Sequence, residues 1–329
     1  MKSKIYIYGL CDVFYDAYYI LGLKEIFGDF EFNILKFPKF KQATFAVIIE
    51  NENGIKKIII DSLDSPKIDL VWLDWCDVYG KVNYNQETIP VSNQKKIIAI
   101  GPSFGIKIWN LLETSFYLIS NYGRFKTAIS HKREFVANYW RQYKRFRLKK
   151  YRSGESSKKE VFFISSIWKK EKETNTNRAL FIEACQNNSN VIFEGGFAAR
   201  VNGDNLGFDN FVYSKKIPLE VYIQKIKKSA IVFNTPAVLS CHGWKLAEFL
   251  ALGKAIITTS HFNKLPSNLK NYQQVIYANN REDIAKVIDE LMTDFNLRRK
   301  LELESRRYFE TYLAPKVVIQ KLVDNLVTE

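Results

Sequence analysis

The first half of the chain alternates short apolar runs with stretches whose apolar residues follow a helical spacing. A buried strand reads as a short continuous apolar run, whereas a helix repeats its apolar residues every three or four positions. Helices are predicted over residues 12–26, 106–120 and 132–150. Strands are predicted over Lys4–Gly9, Phe30–Leu35, Thr44–Glu50, Lys56–Asp61, Leu70–Asp74 and Lys96–Ile100. Strands that alternate with helices predict an α/β domain with a parallel sheet.

A polar stretch from Arg152 to Lys159 has the composition of a linker, and a second alternation follows it. Strands are predicted over residues 161–165, 191–194, 211–213, 230–234, 255–259 and 274–277. Helices are predicted over residues 177–186, 218–228, 243–252, 281–292 and 315–327, with one more between the last two. We therefore expect two α/β domains, 1–155 and 156–312, and a C-terminal helix in 313–329 that packs back on the first domain.

The composition excludes a disordered chain and points to anionic partners. The 329 residues are 47% hydrophobic, which is enough for two buried cores. Lys and Arg outnumber Asp and Glu by 49 to 35, so the net charge is +14. Nine of these cations and a single acid fall between His131 and Gly154. Aromatic residues interleave them at Phe135, Tyr139, Trp140, Tyr143, Phe146 and Tyr151.

That basic aromatic segment has three interpretations. It suits an anionic membrane surface, with rings at the head groups and cations on the phosphates. It also suits single-stranded nucleic acid. A solvated helix that packs by its aromatic side is the third interpretation.

Cysteine spacing and hydropathy bear on the compartment. The four cysteines have no paired spacing, which predicts free thiols in a reducing compartment and no zinc site. No run approaches the 18 apolar residues of a membrane span, and the first residues lack the apolar core of a signal peptide. A cytoplasmic protein is expected, with peripheral attachment to the inner face of the membrane.

The most informative segment runs from Ile231 to Thr259, as a strand, a loop, a helix and a second strand. The first backbone N–H groups of a helix lack intrahelical partners and attract anions, so a diphosphate fits there. Gly243 permits close approach of a ligand to the backbone, and Lys245 supplies a cation. Glu248, one turn deeper, can accept hydrogen bonds from two neighbouring hydroxyl groups, as on a ribose.

Plainer interpretations exist for the same side chains. Lys245 and Glu248 also fit a surface ion pair at (i, i+3) spacing. His242 also fits a cap or a packing role. Gly253 fits a helix C-cap.

From Glu248 through Gly253 to the apolar strand after it, the segment resembles the donor-binding segment of GT-B glycosyltransferases, the group 1 (family 4-like) class. The resemblance covers residues 158–312. It implies two Rossmann-like, doubly wound domains that face a cleft, with Glu248 on the donor ribose. It also implies a retaining hexosyltransferase that uses a nucleoside-diphosphate sugar and needs no metal or other cofactor.

The loop before Glu248 departs from that class. The class has a second Glu eight positions earlier, where this chain has Ser240. Ser240 and the backbone at Gly243 are therefore expected to contact the donor, and His242 is a candidate catalytic residue. The class also places a basic residue after the first strand of the second domain, and Lys169 or Lys170 occupies that place. The start of the next predicted helix, at Asn177 and Arg178, either serves this region or caps the helix.

Candidates in the first half lie at strand ends. Asp12 or Asp16 is expected to bind or deprotonate an acceptor hydroxyl, and Asp12 also fits a cap of the following helix. Acceptor-side contacts are expected at Gly9, Gly101, Ser103 and Gly105, although the last three also fit a plain turn.

Together these features predict transfer of a hexose from a nucleotide-sugar to a glycan or lipid-linked acceptor, as in the synthesis of surface polysaccharide. Neither half has the G-x-G-x-x-G pattern of an NAD oxidoreductase. A nucleic-acid-binding protein and an inactive sugar-binding module are the alternatives, and nucleic acid is not the expected partner.

Overall fold

The computed structural model describes residues 3–52, 54–89 and 95–326. They form two compact units. Unit 1 contains the chain up to Tyr151, residues 264–266 and the C-terminal segment from Thr311. Unit 2 contains residues 152–263 and 267–310.

Unit 1 is built on a six-stranded sheet in the order β2-β1-β3-β4-β5-β6. Strand β3 is antiparallel to both of its neighbours, whereas the other pairings are parallel. The sheet is therefore mixed, and the wholly parallel sheet predicted for this half is wrong. The reason is local, because β3 ends at Asn51 and β4 begins at Gly54, which leaves room only for a tight hairpin. The strands are β1 (Lys4–Tyr8), β2 (Glu31–Asn33), β3 (Phe45–Asn51), β4 (Gly54–Asp61), β5 (Val78–Lys81) and β6 (Ile97–Ala99).

In the described part of the first 151 residues, four α-helices accompany this sheet. They are α1 (Ala17–Phe27), α2 (Leu70–Trp75), α3 (Leu111–Phe125) and α4 (Lys132–Tyr143). The strand predicted over Leu70–Asp74 is wrong, because this segment is α2. The Asp69 carboxylate caps it by accepting hydrogen bonds from the backbone N–H groups of Val71 and Trp72. Helix α4 is also shorter than predicted, since it ends at Tyr143.

Unit 2 has two three-stranded parallel sheets that lie side by side. The N–H of Ala230 donates to the Glu160 carbonyl (2.7 Å), and the N–H of Phe162 donates to Ser229 Oγ (2.9 Å). These bonds set β7 beside β10 and give the order β9-β8-β7-β10-β11-β12, that of a dinucleotide-binding fold. The predicted α/β class is confirmed. The strands are β7 (Glu160–Ser166), β8 (Ile192–Ala198), β9 (Val212–Tyr213), β10 (Val232–Asn234), β11 (Ile256–Thr258) and β12 (Val275–Tyr277).

Helices cover the sheets of unit 2 with the apolar faces that the sequence predicts. They are α5 (Lys172–Asn187), α6 (Leu219–Lys228), α7 (Trp244–Ala251), α8 (Arg281–Thr293) and α9 (Phe295–Tyr308). Helix α8 buries four residues of one face, Ile284, Val287, Ile288 and Leu291. The rings of Phe181 and Phe233 stack at 4.6 Å and join α5 to the centre of the sheet.

The last helix, α10 (Pro315–Asp324), belongs to unit 1 and packs on α1. The Tyr18 hydroxyl donates to the Leu313 carbonyl (2.5 Å) just before α10 begins. The predicted end of this helix at residue 327 lies outside the described residues. Within the described ranges, no helix is long and apolar enough to cross a membrane.

Candidate functional site

A cavity of about 360 Å³ opens in unit 2 at the carboxyl ends of β7 and β10. Its wall includes residues 164–166 at the end of β7, Asn234 and Thr235 at the end of β10, and residues 243–245 at the start of α7. The strand order reverses between β7 and β10, and open α/β sheets bind their ligands at such a switch point. The topology therefore places the cavity where a ligand is expected.

Lys245 brings a cation to this cavity from the first turn of α7. Its ammonium group donates to the Ile164 carbonyl and lies 5.2 Å from the centre of the Phe163 ring. Burial lowers the pKa of Lys245 from its usual 10.5 to about 7; repulsion by Arg178 adds to this shift, and Glu248 opposes it. The site thus holds a lysine whose positive charge Glu248 compensates only in part.

Arg178 is the second cation of the cavity wall, and its side chain is buried. Its Nε donates to Thr235 Oγ1 (2.9 Å) and one terminal nitrogen donates to the Ser166 carbonyl (3.0 Å), so it joins the ends of β10 and β7. Burial lowers its pKa to about 10, and Glu171 opposes this shift. Among the described residues that line the cavity there is no Asp or Glu. Two cations and a helix N-terminus without a side-chain cap make this an anion site.

The loop between β10 and α7 is strained where it leads to the cavity. Leu239 and Ser240 have φ angles of 55° and 58°, a region that side chains other than glycine rarely adopt. The loop is held by a hydrogen bond from the Leu239 N–H to Glu171 Oε1 (3.1 Å) and by one from Asn263 Nδ2 to the Ser240 carbonyl (3.0 Å). Strain of this kind costs about 1–3 kcal/mol per residue and clusters at ligand sites.

The remaining predicted site residues of unit 2 do not line the cavity in the described part of the chain. Glu248 is buried one turn deeper in α7, where its Oε2 accepts from the Tyr222 hydroxyl (3.4 Å). His242 is buried with its ring 5.6 Å from that of His261. Lys169 and Lys170 are exposed in the turn after β7. The structure therefore brings together Gly243 and Lys245 from the predicted set.

The candidate residues of unit 1 make hydrogen bonds or packing contacts within the fold. The Asp12 carboxylate accepts from the N–H groups of Phe14 and Tyr15 (3.0 and 3.3 Å) and from Asn138 Nδ2 (2.6 Å). It closes the turn before α1 and does not cap that helix, whose N-cap is Asp16. Burial raises its pKa. The other four, Gly9, Gly101, Ser103 and Gly105, are all buried.

Contacts explain several of these buried positions. The space beside Gly9 is filled by the ring of Phe125, and that beside Gly101 by Leu313 and Pro266. Ser103 Oγ accepts from the Tyr19 hydroxyl (3.2 Å), and the Gly105 carbonyl accepts from Arg145 Nε (3.2 Å). The acceptor-side roles stay predictions.

Two residues of the cavity wall were not predicted as such from the sequence. The role of Arg178 was left open, and Trp168 was given no role. The Trp168 indole is partly exposed in the cavity wall. Asn175 fixes its backbone, because Asn175 Oδ1 accepts from the Trp168 N–H (3.0 Å) and Asn175 Nδ2 donates to the Trp168 carbonyl (2.7 Å). A bulky aromatic residue two positions after a strand that ends in Ser-Ser was the available signal.

The described residues contain no group of three or more His, Cys, Asp or Glu side chains that could hold a metal ion.

No family model matches the sequence. No curated protein matches it either. Solved structures resemble it distantly. The C-terminal domain of a group 1 family glycosyl transferase (LpcC) from Francisella tularensis has 16% identity and a TM-score of 0.36, over 50% of this chain and 96% of that one.

Two further structures match over more of the chain. A glycosyltransferase from Rickettsia africae has 12% identity and a TM-score of 0.44, over 80% of this chain and 69% of its own. Anabaena HepE, solved with UDP and glucose, has 11% identity and a TM-score of 0.40, over 82% of this chain and 98% of its own. The chain spans only 36% of another match, TarM.

At TM-scores of 0.36–0.44 these likenesses are distant. The function proposed below rests on the residues of the cavity.

Replacement of Gly243 by Ala is expected to weaken diphosphate binding about tenfold without loss of folding stability. A Cβ at Gly243 would meet only the Ala237 Cβ at 3.5 Å, an ordinary contact, so the fold accommodates it. The added methyl group would stand in the cavity wall, where a phosphate must approach the backbone. Isothermal titration with inorganic pyrophosphate measures the effect. Gly154→Ala, whose Cβ would also meet a neighbour at 3.6 Å, is the matched control, and equal affinities of the two variants would contradict the placement.

Diphosphate binding is expected to take up a proton above neutral pH. An anion beside Lys245 favours its charged form, so a group with a pKa of about 7 is protonated on binding and affinity falls as pH rises above 7. Titration calorimetry in two buffers with different ionisation enthalpies, at about pH 8.5, measures the uptake. In Lys245→Met the uptake should vanish. Identical heats in both buffers for the wild-type protein would refute the assignment.

The lowered pKa of Lys245 also makes the free energy of unfolding depend on pH. Between about 7 and 10.5 the unfolded chain holds the Lys245 proton and the folded protein does not. The contribution of Lys245 to the free energy of unfolding therefore rises with pH across that window.

Proposed function

We propose that this chain is a glycosyltransferase whose unit 2 binds the diphosphate of a nucleotide-sugar donor in the cavity between β7 and β10. The observation that carries the proposal is the convergence of Lys245, Arg178 and the start of α7 on a cavity with no acidic residue in its described wall. Trp168 offers an aromatic surface at the same cavity, which suits a nucleobase.

The proposed reaction breaks the bond between the anomeric carbon and the diphosphate oxygen, which keeps the electron pair. The acceptor hydroxyl oxygen forms the new bond to the anomeric carbon, and its proton passes to a base or to solvent. Negative charge grows on the leaving diphosphate in an oxocarbenium-like transition state. Lys245, Arg178 and the α7 N-terminus stabilise that charge, so we propose that no metal is needed.

Finer features are proposed on the resemblance alone. A hexose donor, retention of configuration and a lipid-linked or surface glycan as acceptor follow from the class that the segment at Glu248 resembles. The catalytic roles of His242 and Asp12 stay predictions, as do donor contacts by Lys169, Lys170, Ser240 and Glu248.

Turnover tests the proposal. The purified protein is incubated with UDP-, GDP-, CMP-, dTDP- and ADP-linked sugars and a mixture of lipid-linked acceptors, and release of nucleotide is followed. Release from one donor that Lys245→Met does not support, and that chelation of divalent cations leaves unchanged, is the expected result. Binding without release of nucleotide would favour an inactive sugar-binding module. The loss of activity would then be explained by Ser240, which stands where the resembled class has a Glu.

A further inference from the structure

The outer face of α3 in unit 1 exposes a row of large apolar side chains. Leu112, Phe116 and Ile119 are 82%, 66% and 72% exposed, and their spacing places them on one side of the helix. The opposite side of α3 is buried in unit 1 through Thr114, Asn121 and Phe125. An apolar row of this kind on an otherwise amphipathic helix marks a contact surface.

The part of the chain that contains α3 and α4 is rich in cations. Residues 107–150, which contain α3 and α4, hold eleven Lys or Arg and two Glu. Both acids face cations, because Glu113 lies 4.0 Å from Lys24 Nζ and Glu134 pairs with Arg141. Residues 107–150 therefore carry a net charge of +9, out of the +14 of the whole chain.

The basic aromatic segment contributes less apolar surface than its sequence predicts. Phe135, Tyr139 and Tyr151 are buried, so the interpretation of all six rings as lipid contacts is wrong. Trp140 is exposed on α4, and Lys144 Nζ lies 4.5 Å from the centre of its ring. An indole beside a cation suits the head-group region of a bilayer.

We propose that the outer face of α3 inserts into the interface of an anionic lipid bilayer, while the cations of the α3–α4 segment contact lipid phosphates. Apolar insertion and head-group attraction together give stable but reversible attachment. A second copy of the chain is a poorer occupant, because two surfaces of the same strong positive charge repel each other. Nucleic acid would use the cations but leave the apolar row exposed.

Vesicle sedimentation tests this surface independently of the nucleotide site. The wild-type protein is expected to bind vesicles of phosphatidylglycerol and phosphatidylcholine at low salt, and to bind pure phosphatidylcholine much more weakly. A triple replacement, Leu112→Ser, Phe116→Ser and Ile119→Ser, should lower partitioning on the order of a hundredfold. The matched control replaces Leu35, Leu70 and Val71, also exposed in unit 1, by Ser and should bind as the wild type does.

Two further readouts secure the result. The triple variant should unfold cooperatively on heating, at a temperature close to that of the wild type, which shows that it is folded. In Phe116→Trp, the added tryptophan emission should shift to the blue with anionic vesicles if α3 inserts.

Four outcomes would overturn the proposal. The first is absence of wild-type binding to anionic vesicles at low salt, and the second is equal binding by the triple variant. The third is a wild-type dimer that the triple variant converts to monomer, which would assign the face to a second copy. The fourth is release of the protein from vesicles by equimolar oligonucleotide, which would favour nucleic acid.

Discussion

Lys245→Met is expected to weaken the binding of nucleoside diphosphates and of inorganic pyrophosphate about 30-fold, since a hydrogen bond between charged groups contributes about 2 kcal/mol. The free energy of unfolding without ligand should change by no more than about 1 kcal/mol. Two effects of the replacement oppose each other. Removal of the ammonium ends the free-energy cost of burying a charge beside Arg178, but it also removes the hydrogen bond to the Ile164 carbonyl.

Titration calorimetry and chemical denaturation of the same protein samples separate these two effects. Lys286→Met, which removes an exposed cation of α8 in the same unit, is the control and should bind as the wild type does. If Lys245→Met bound pyrophosphate with wild-type affinity, the cation would have no part in anion recognition.

Arg178→Met is expected to have the larger effect on folding. It removes the donors to Thr235 Oγ1 and to the Ser166 carbonyl, so polar atoms at the ends of both strands lose a partner. We expect a loss of about 3 kcal/mol in the free energy of unfolding, together with loss of diphosphate binding. The pKa of Lys245 should rise at the same time, because the neighbouring positive charge that lowers it is gone.

Denaturant unfolding at a series of pH values measures the stability and the shift in the pKa of Lys245, and pyrophosphate titration measures the binding. Arg178→Lys is the informative control, because it keeps the charge but cannot make both hydrogen bonds in the same geometry. It should recover part of the binding and little of the stability. A wild-type free energy of unfolding in Arg178→Met would show that the buried guanidinium does not join β7 to β10.

The α/β fold of unit 2 was predictable because each element carries its own pattern. Helix α8 repeats apolar residues on one face, and the burial of Ile284 and Leu291 follows that repeat. In unit 1, the strand predicted over Leu70–Asp74 is wrong because a short apolar run fits a strand or a buried helix equally well. The preceding Asp69 favours the helix, since its carboxylate accepts hydrogen bonds from the first backbone N–H groups of α2.

The candidate site was predictable in part. The helix start at Gly243 and Lys245 follows from a strand, a loop and a helix in sequence. Arg178 was harder, because the first turns of α5 are polar and the predicted helix therefore begins at residue 177 instead of Lys172. That error places Arg178 at a helix end, where a cap was a sufficient explanation. Its contact with Thr235 joins residues 57 positions apart, which no local pattern reveals.

The most direct test of the central claim is thermal stabilisation of the purified protein by UDP, GDP, CMP, dTDP and ADP, beside Lys245→Met and Lys286→Met. The account predicts stabilisation by one of these nucleotides, retained in Lys286→Met and lost in Lys245→Met. No shift with any nucleotide, or an equal shift in all three proteins, would contradict a nucleotide site between β7 and β10.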